Sequence, residues 1–424
     1  GTIAMPAFTP STLALLVSVA LVWTANGLCF TLLAVRLNAD GFSTSDVGIV
    51  TTGYFIGQLV GAMFCGRMIE RVGHVRAFAA FASIISASVI GYALHVDLAL
   101  WTVIRISHGF CIAGSIMVAE SWLNGATSNQ GRGRLLAVYT IIQYLAMSAG
   151  QQLLNLQSPT SFVLFTVASI LFSLALVPLV LSRSVTAGEV APSRLGILKL
   201  IEVSPLGVLG CFAGGALVAI LLGLMPVYLS DRNYEVSDIA LFMSVIILGG
   251  LVVQYPIGRA SDMFDRRTVI ALTLFAGGGV CFAIALAPNL DFWPLAGMTI
   301  LYGGIVYALY PLAVAHANDY LDPADLVAAS AGLIMAMAVG AAIGPLATAV
   351  VMERIGPDGL YIFSGAMCIA LGGFAVFRMT RRPSVSNEDQ GPYVLLSRTT
   401  AASVELDPRA DLEGEGPLEP DYQN

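Results

Sequence analysis

The chain has 424 residues, of which 57% are hydrophobic and only 11% charged, whereas an average soluble domain carries about a quarter charged residues. A water-soluble globule of this composition would aggregate, so the chain is expected to sit in a bilayer, where each crossing helix needs roughly 20 apolar residues. The net charge of -7 is confined to residues 383 to 424, which hold nine acids and two arginines (2 - 9 = -7), while the preceding part is balanced at 18 basic and 18 acidic residues; nothing in this pattern suggests a nucleic-acid surface.

Gly1–Ala4 reads as an expression remnant ahead of Met5. Twelve membrane spans are then predicted in chain order. The first, Leu13–Leu37, lacks the basic flank, short apolar core and cleavage site of a secretory signal, so it is expected to remain as a helix. It carries Asn26 where an acidic residue could have stood. The second span, Val47–Gly66, contains Gln58 and runs into a basic loop, Gly66-Arg-Met-Ile-Glu70-Arg71-Val-Gly73-His-Val-Arg76. The third is Ala77–His95.

The fourth span, Ala99–Asn124, contains Arg105-Ile-Ser-His108-Gly109. A charged residue at this depth is costly and marks function by default. Arg105 could hold an anionic group of a substrate, bias the proton affinity of a neighbour, or bond backbone carbonyls as interhelical glue. His108 lies on the same side one turn on and could exchange a proton near neutral pH, or simply pack. Glu120 lies about 22 Å along the helix from Arg105, too far to pair with it. Its expected partners are Arg132, Arg134 or the arginines of the basic loop, in an inner gate latch; a proton site is the alternative.

The fifth span, Leu135–Leu156, offers Tyr139, Gln143, Gln151 and Asn155, an amide-bearing surface that suits hydroxyl-rich or carboxylate cargo and equally suits helix-to-helix hydrogen bonding. Phe162–Leu181 is the sixth. A linker, Ser182–Pro205, then separates residues 5–181 from residues 206–378, each an expected bundle of six helices.

The second bundle comprises Leu206–Leu229, Ile239–Gly258, Thr268–Ala287, Phe292–Ala317, Leu326–Met352 and Gly359–Phe377. After its second span comes Gly258-Arg-Ala-Ser-Asp262-Met-Phe-Asp-Arg266-Arg267, which repeats the earlier basic loop at an offset of 258 - 66 = 192 residues. Gln254 precedes this loop. The tenth span carries Tyr302, Tyr307, Tyr310 and His316; tyrosines near the centre could line a cavity, and His316 is expected to serve a gate or packing before a proton. In the eleventh, Gly340-x-x-x-Gly344-Pro345 reads as a close-packing and hinge feature. Six cysteines are scattered singly and read as small core residues. Residues 379–424 form an acidic tail without apolar periodicity and are expected to be disordered.

With the termini inside, fourteen arginines and lysines fall on the inner side and three, Arg36, Arg232 and Arg354, on the outer, which places both termini in the cytoplasm.

The two basic loops resemble the signature Gly-x-x-x-Asp-Arg-x-Gly-Arg-Arg of the major facilitator superfamily, and the helix-four stretch with Gly73-His-Val-Arg-Ala-Phe78 is similar to its YcaD-like bacterial branch. The resemblance implies an all-α fold of twelve transmembrane helices in two pseudo-symmetric bundles that rock around a midplane site. It implies a conformational gate at Gly66, Glu70, Arg71, Gly73, Arg76, Gly258, Asp262, Arg266 and Arg267, with Glu70 replacing the usual Asp. The expected function is secondary active transport, driven by protons, of a small polar and possibly anionic organic solute. Its site would be lined by helices one, four, five, seven, eight, ten and eleven. Arg105, Asn26, Gln143, Gln151, Tyr139 and Tyr307 are the expected substrate contacts, and His108, Glu120 and His316 the candidate proton carriers. Efflux of amphipathic drugs and a membrane sensor signalling through the tail stay open as alternatives. The fifth span lacks the Gly-x-x-x-Gly-Pro motif of drug/proton antiporters, and no carboxylate stands near the middle of any span. No nucleotide loop, metal cluster or catalytic triad is present, so neither a cofactor nor an enzyme is expected. The partners are the solute, protons and lipid, around a monomer in the bacterial inner membrane.

Overall fold

The computed structural model describes residues 9–126, 129–182, 197–287, 290–321 and 325–381, together with Val385, Gln390, Gly391 and Tyr393; the side chains of residues 124–126, 129–134, 197, 198, 327 and 328 are outside that description. Fourteen helices are found among these residues: α1 (Pro10–Ala39), α2 (Thr44–Val72), α3 (His74–Leu94), α4 (Leu98–Ala126), α5 (Asn129–Gln152), α6 (Phe162–Leu174), α7 (Leu176–Leu181), α8 (Ile197–Val203), α9 (Pro205–Asp231), α10 (Val236–Met263), α11 (Arg266–Ala285), α12 (Phe292–Asn318), α13 (Leu326–Ile355) and α14 (Gly359–Met379). Together α6 and α7 make the sixth span. They part at Ala175, three residues before Pro178, whose ring and missing N–H break the helical hydrogen bonding one turn back. The expected linker contains the short α8, and the rest of it lies outside the described residues.

Among the described residues, eleven spans are long and apolar enough to cross a membrane. The twelfth, α5, is 24 residues long, about 36 Å, but is too polar to meet that measure. Its position explains the polarity, since it is wedged between α1 and α10 at the junction of the two halves and turns Tyr139, Gln143 and Gln151 into protein.

The halves repeat one plan. Helices α1 and α5 pair in the first half as α9 and α13 do in the second, α2 and α4 as α10 and α12, and α3 and α6 as α11 and α14. Absent side chains let these pairs close. A methyl on Gly109 would collide with the carbonyl of Tyr54, and one on Gly57 with that of Ile106, so α2 and α4 touch backbone to backbone. The expected close packing at Gly340 and Gly344 is present, against the backbone of Phe212 and Ala216 in α9.

Across the halves, α2 meets α13 and α10 meets α5. Gly48 abuts Ala349 and Pro345, and Thr52 donates to the Ala342 carbonyl at 2.8 Å. In the second half Ala240 and Ser244 stand at the same repeat offset of 192, since 48 + 192 = 240 and 52 + 192 = 244. There Gln152 of α5 donates to the Ala240 carbonyl at 3.1 Å and to Ser244 Oγ at 2.6 Å. These contacts lie toward the ends of α2 and α10 remote from the chain termini. Beyond them Asn38 donates to Asp231 at 2.9 Å and the Ser45 amide to Glu353 at 2.8 Å, both bonds joining one half to the other. The molecule is therefore sealed on the face opposite its termini.

Exposed hydrogen bonds of this kind contribute about 1 kcal/mol each. Combining Asn38→Ala with Glu353→Ala is expected to loosen the seal and to speed labelling of a cysteine placed at the buried Val47 by a membrane-impermeant thiol reagent. Unchanged labelling would show that apolar packing alone holds it.

Candidate functional site

A cavity of about 130 Å³ lies between the halves at mid-depth, walled by Trp23 and Phe30 of α1, Tyr54, Phe55, Gln58 and Ala62 of α2, and Gln143, Tyr144 and Met147 of α5. From the second half come Gly215, Val218 and Leu222 of α9, Tyr307 of α12, and Ile334, Met337, Ala338 and Ala341 of α13. Its deep wall, Phe30, Tyr54 and Leu222, is buried, while Ala62, nearer the termini, is exposed, so the cavity opens toward the face that carries the chain ends. Tyr144 spans the halves, its ring 5.2 Å from that of Tyr307 and its hydroxyl donating to Gln254 at 3.5 Å.

Two of the expected contacts, Gln143 and Tyr307, line this space, and α2 does so where α4 and α10 were expected. The glycine contacts just described set α4 behind α2, out of reach of the cavity. Arg105 accordingly lies one layer back. Its guanidinium carbon sits 4.7 Å from the centre of the Phe30 ring and 4.6 Å from that of Tyr54, the two rings that form the deep wall. Such stacking on aromatic faces suits a desolvated guanidinium. Arg105 is 2% exposed, its Nε and Nη1 have no hydrogen-bond acceptor, and no carboxylate is bridged to it among the described residues. The amide Nε2 of Gln143 is likewise buried without an acceptor.

Tyr54 organises the polar groups around this wall. Asn26 Nδ2 and Gln58 Nε2 both donate to its hydroxyl oxygen at 3.2 Å, and its ring packs at 5.8 Å from His108. His108 stands between Tyr54 and Phe172, with both ring nitrogens buried and unbonded. Gln151 donates to the Gly27 carbonyl at 3.0 Å and accepts from Thr31, so it ties α5 to α1. Tyr139 donates to Glu120 at 3.3 Å, both buried away from the cavity; the proposed partners Arg132 and Arg134 lie outside the described side chains. His316 borders a separate small cleft with Ser204, Arg267, Tyr320 and Arg378 near the termini. Trp23, Phe30, Tyr54, Tyr144 and Met337 were not anticipated from sequence; the one available signal was the pair Tyr54 and Gln58, a turn apart on one helix.

The two signature loops differ. In the first, Gly73 ends α2 with φ 85°, a backbone setting that glycine tolerates best, and Glu70, Arg71 and Arg76 are exposed. In the second, Arg266 is buried and bridges Asp319 at 2.5 Å, with Asp262 at 3.5 Å, and Arg267 bonds Asp265. Burial pushes the Asp265 carboxyl up, but the hydrogen bonds and charge of Arg267 outweigh this and hold it below the ordinary carboxylate range. That pair therefore contributes stability at neutral pH and loses it as acid protonates Asp265.

A profile described as Major Facilitator Superfamily matches residues 15–310 and 236–405. The chain belongs to the major facilitator superfamily. The transporter is 31% identical over 365 residues to the uncharacterized MFS-type transporter YcaD of Escherichia coli O6:K15:H31, covering 84% of this chain and 93% of that one. It is 30% identical over 366 residues to an uncharacterized MFS-type transporter, Ent638_1421, of Enterobacter sp. (strain 638), with the same coverage. In fold it is similar to the nucleoside transporter NupG (TM-score 0.74, 14% identity, 87% of this chain and 99% of that one). A D-xylose-proton symporter also superposes (TM-score 0.66, 13% identity, 86% and 96%). The protein is thus a multi-pass membrane transporter of the secondary class and not an enzyme.

Proposed function

We propose that the transporter carries a small organic anion with an apolar or aromatic body by alternating access, coupled to protons. The observation that carries this reading is Arg105, a buried cation without a counter-charge among the described residues, pressed against the two rings that form the deep wall. The unpaired donor of Gln143 on the wall itself adds a second group that lacks an acceptor. Buried donors of this kind are costly unless satisfied, and a carboxylate entering the cavity would supply what both lack. Reaching Arg105 requires Tyr54 or Phe30 to turn aside, which makes those rings part of the recognition step. The aromatic and methionine-bearing walls suit the rest of such a molecule.

The fourteen-to-three charge bias supports an inner-membrane orientation with both termini cytoplasmic and the cavity open to the cytoplasm. Proton coupling is carried over by analogy with the D-xylose-proton symporter that shares the fold, with Glu120 and His108 as the groups to test. The apolar lining also favours the second reading, export of amphipathic drugs.

Thermal stabilisation of the purified protein discriminates, because a ligand that binds the native state stabilises it by about 2.7 kcal/mol at one hundred times its Kd. Aromatic and aliphatic carboxylates are expected to raise the melting temperature, and their neutral amides are not. Equal shifts from acids and amides would overturn the anion reading, and hits confined to cationic or neutral amphiphiles would establish the drug reading.

A further inference from the structure

The face of α10 that meets α5 continues, five turns on, into the second signature loop. At 100° per residue Ala240 and Gly258 point the same way, with Ser244 and Asp262 about 40° to one side and Gln254 about 40° to the other. Ala240 and Ser244 bond Gln152 of α5, and Gln254 bonds Tyr144 of α5. Among the described residues, Gly258 and Asp262 have no hydrogen bond or close contact with α5. They are covered by the chain's own tail: the Tyr393 ring lies directly on Gly258, and the Tyr393 amide donates to Asp262 at 2.7 Å. Two residues earlier the Gly391 amide donates to Asp319 at 3.1 Å, and the Gly391 carbonyl accepts from the buried Arg266 at 2.6 Å. The tail thus engages three of the charged groups of the second loop and its neighbouring helix end.

Among the described residues, the equivalent face in the first half is bare. Gly48 and Thr52 meet α13, and Gly66 and Glu70 stand five turns further along the same face of α2, yet the nearest neighbour that a side chain at Gly66 would meet is Met117 of its own half at 3.7 Å, and Glu70 is exposed. Of two equivalent surfaces, the one on α10 is therefore blocked by the tail and the one on α2 is not.

We infer that Gly391 and Tyr393 form a tethered wedge, which holds the transporter open on the face of its termini by occupying the surface of α10 that must meet α5 when that face closes. Being part of the chain, the wedge competes at a high effective concentration. Anything that withdraws the tail permits closure, so transport rate is set by the tail as well as by the cargo. This inference rests on the alternating-access reading.

The test uses the full chain in lipid nanodiscs with spin labels at Arg67→Cys and Arg259→Cys, exposed positions related by the 192-residue repeat; the six native cysteines are buried. One long inter-label distance is expected in the parent protein. Tyr393→Ala, and a chain ending at Arg382, are each expected to add a second, shorter population, and a peptide of residues 385–400 added to the shortened chain should remove it. The Asn38→Ala, Glu353→Ala variant is measured beside them. If it adds the short population while Tyr393→Ala and the shortened chain do not, the wedge is wrong and rocking stands. If no variant changes the distance, both ideas fail.

Discussion

Replacing Arg105 with alanine is expected to weaken binding of the anionic cargo by about a hundredfold, while leaving the ligand-free protein folded. Charge-assisted hydrogen bonds contribute up to about 3 kcal/mol, and each 1.4 kcal/mol is tenfold in affinity, so loss of the guanidinium accounts for that factor. The effect on the empty protein runs differently. Arg105 is buried with Nε and Nη1 unbonded, so its removal eliminates an uncompensated charge and forfeits two ring contacts, terms that oppose one another. The melting temperature without ligand should stay near that of the parent, and the carboxylate-induced rise should vanish. Arg105→Lys should recover only part of the rise, because an ammonium lacks the planar fork that stacks and bonds at once. If instead Arg105→Ala unfolds the protein and never alters binding in the fraction that survives, the residue is interhelical glue.

Gly109→Leu should be the most damaging single change in the scaffold. The α-carbon of Gly109 faces the Tyr54 carbonyl too closely for any side chain, and Gly57 makes the reciprocal contact with Ile106. A leucine must push α2 away from α4 along its whole length, and overpacking of a rigid interior costs about 1 to 3 kcal/mol, occasionally more. It would also displace Tyr54, on which Asn26, Gln58 and Arg105 converge. Size-exclusion chromatography in detergent should show loss of the monodisperse species. Gly279→Leu, where nothing stands within 4 Å, provides the comparison and should behave as the parent; similar loss in both would place the fault in insertion and not in packing.

The spans were readable because hydropathy acts over whole helices and needs no tertiary knowledge. Even α5 showed as a span, although its amides lower its apolarity. The break at Ala175 had its cause in plain sight at Pro178, yet proline is common enough in membrane helices that no break follows from it alone. The site was less legible. Arg105 stood out by its charge, but which residues face it depends on the approach of α2 and α4, set by glycines 57 and 109, which stand 52 residues apart in the sequence (109 - 57 = 52). Phe30 carries no signal in a chain already rich in apolar residues, and Tyr54 shows only through Gln58, one turn on along the same helix. Gln151 and Gln143 look alike in sequence, and their depth along α5 together with a turn of about 80° around it sends one to the Gly27 carbonyl and the other to the cavity. Tyr393 lies in an acidic stretch whose composition argues for disorder; two residues suffice to anchor it because Asp262, Asp319 and Arg266 already stand ready.

The position of the Tyr144 and Tyr307 contact has a mechanical consequence. It lies at mid-depth, between the seal on one face and the opening on the other, in the place of a fulcrum. From Ala240 to Asp262, α10 is a rod about 33 Å long, and tipping such a rod by ~10° displaces one end against the other by roughly 6 Å. A modest tilt therefore exchanges a hydrogen-bonded seam for a gap wide enough to admit a solute. Because glycine contacts lock each bundle into a stiff body, the tilt is spent at the two faces and little is lost to bending within either arm of the lever.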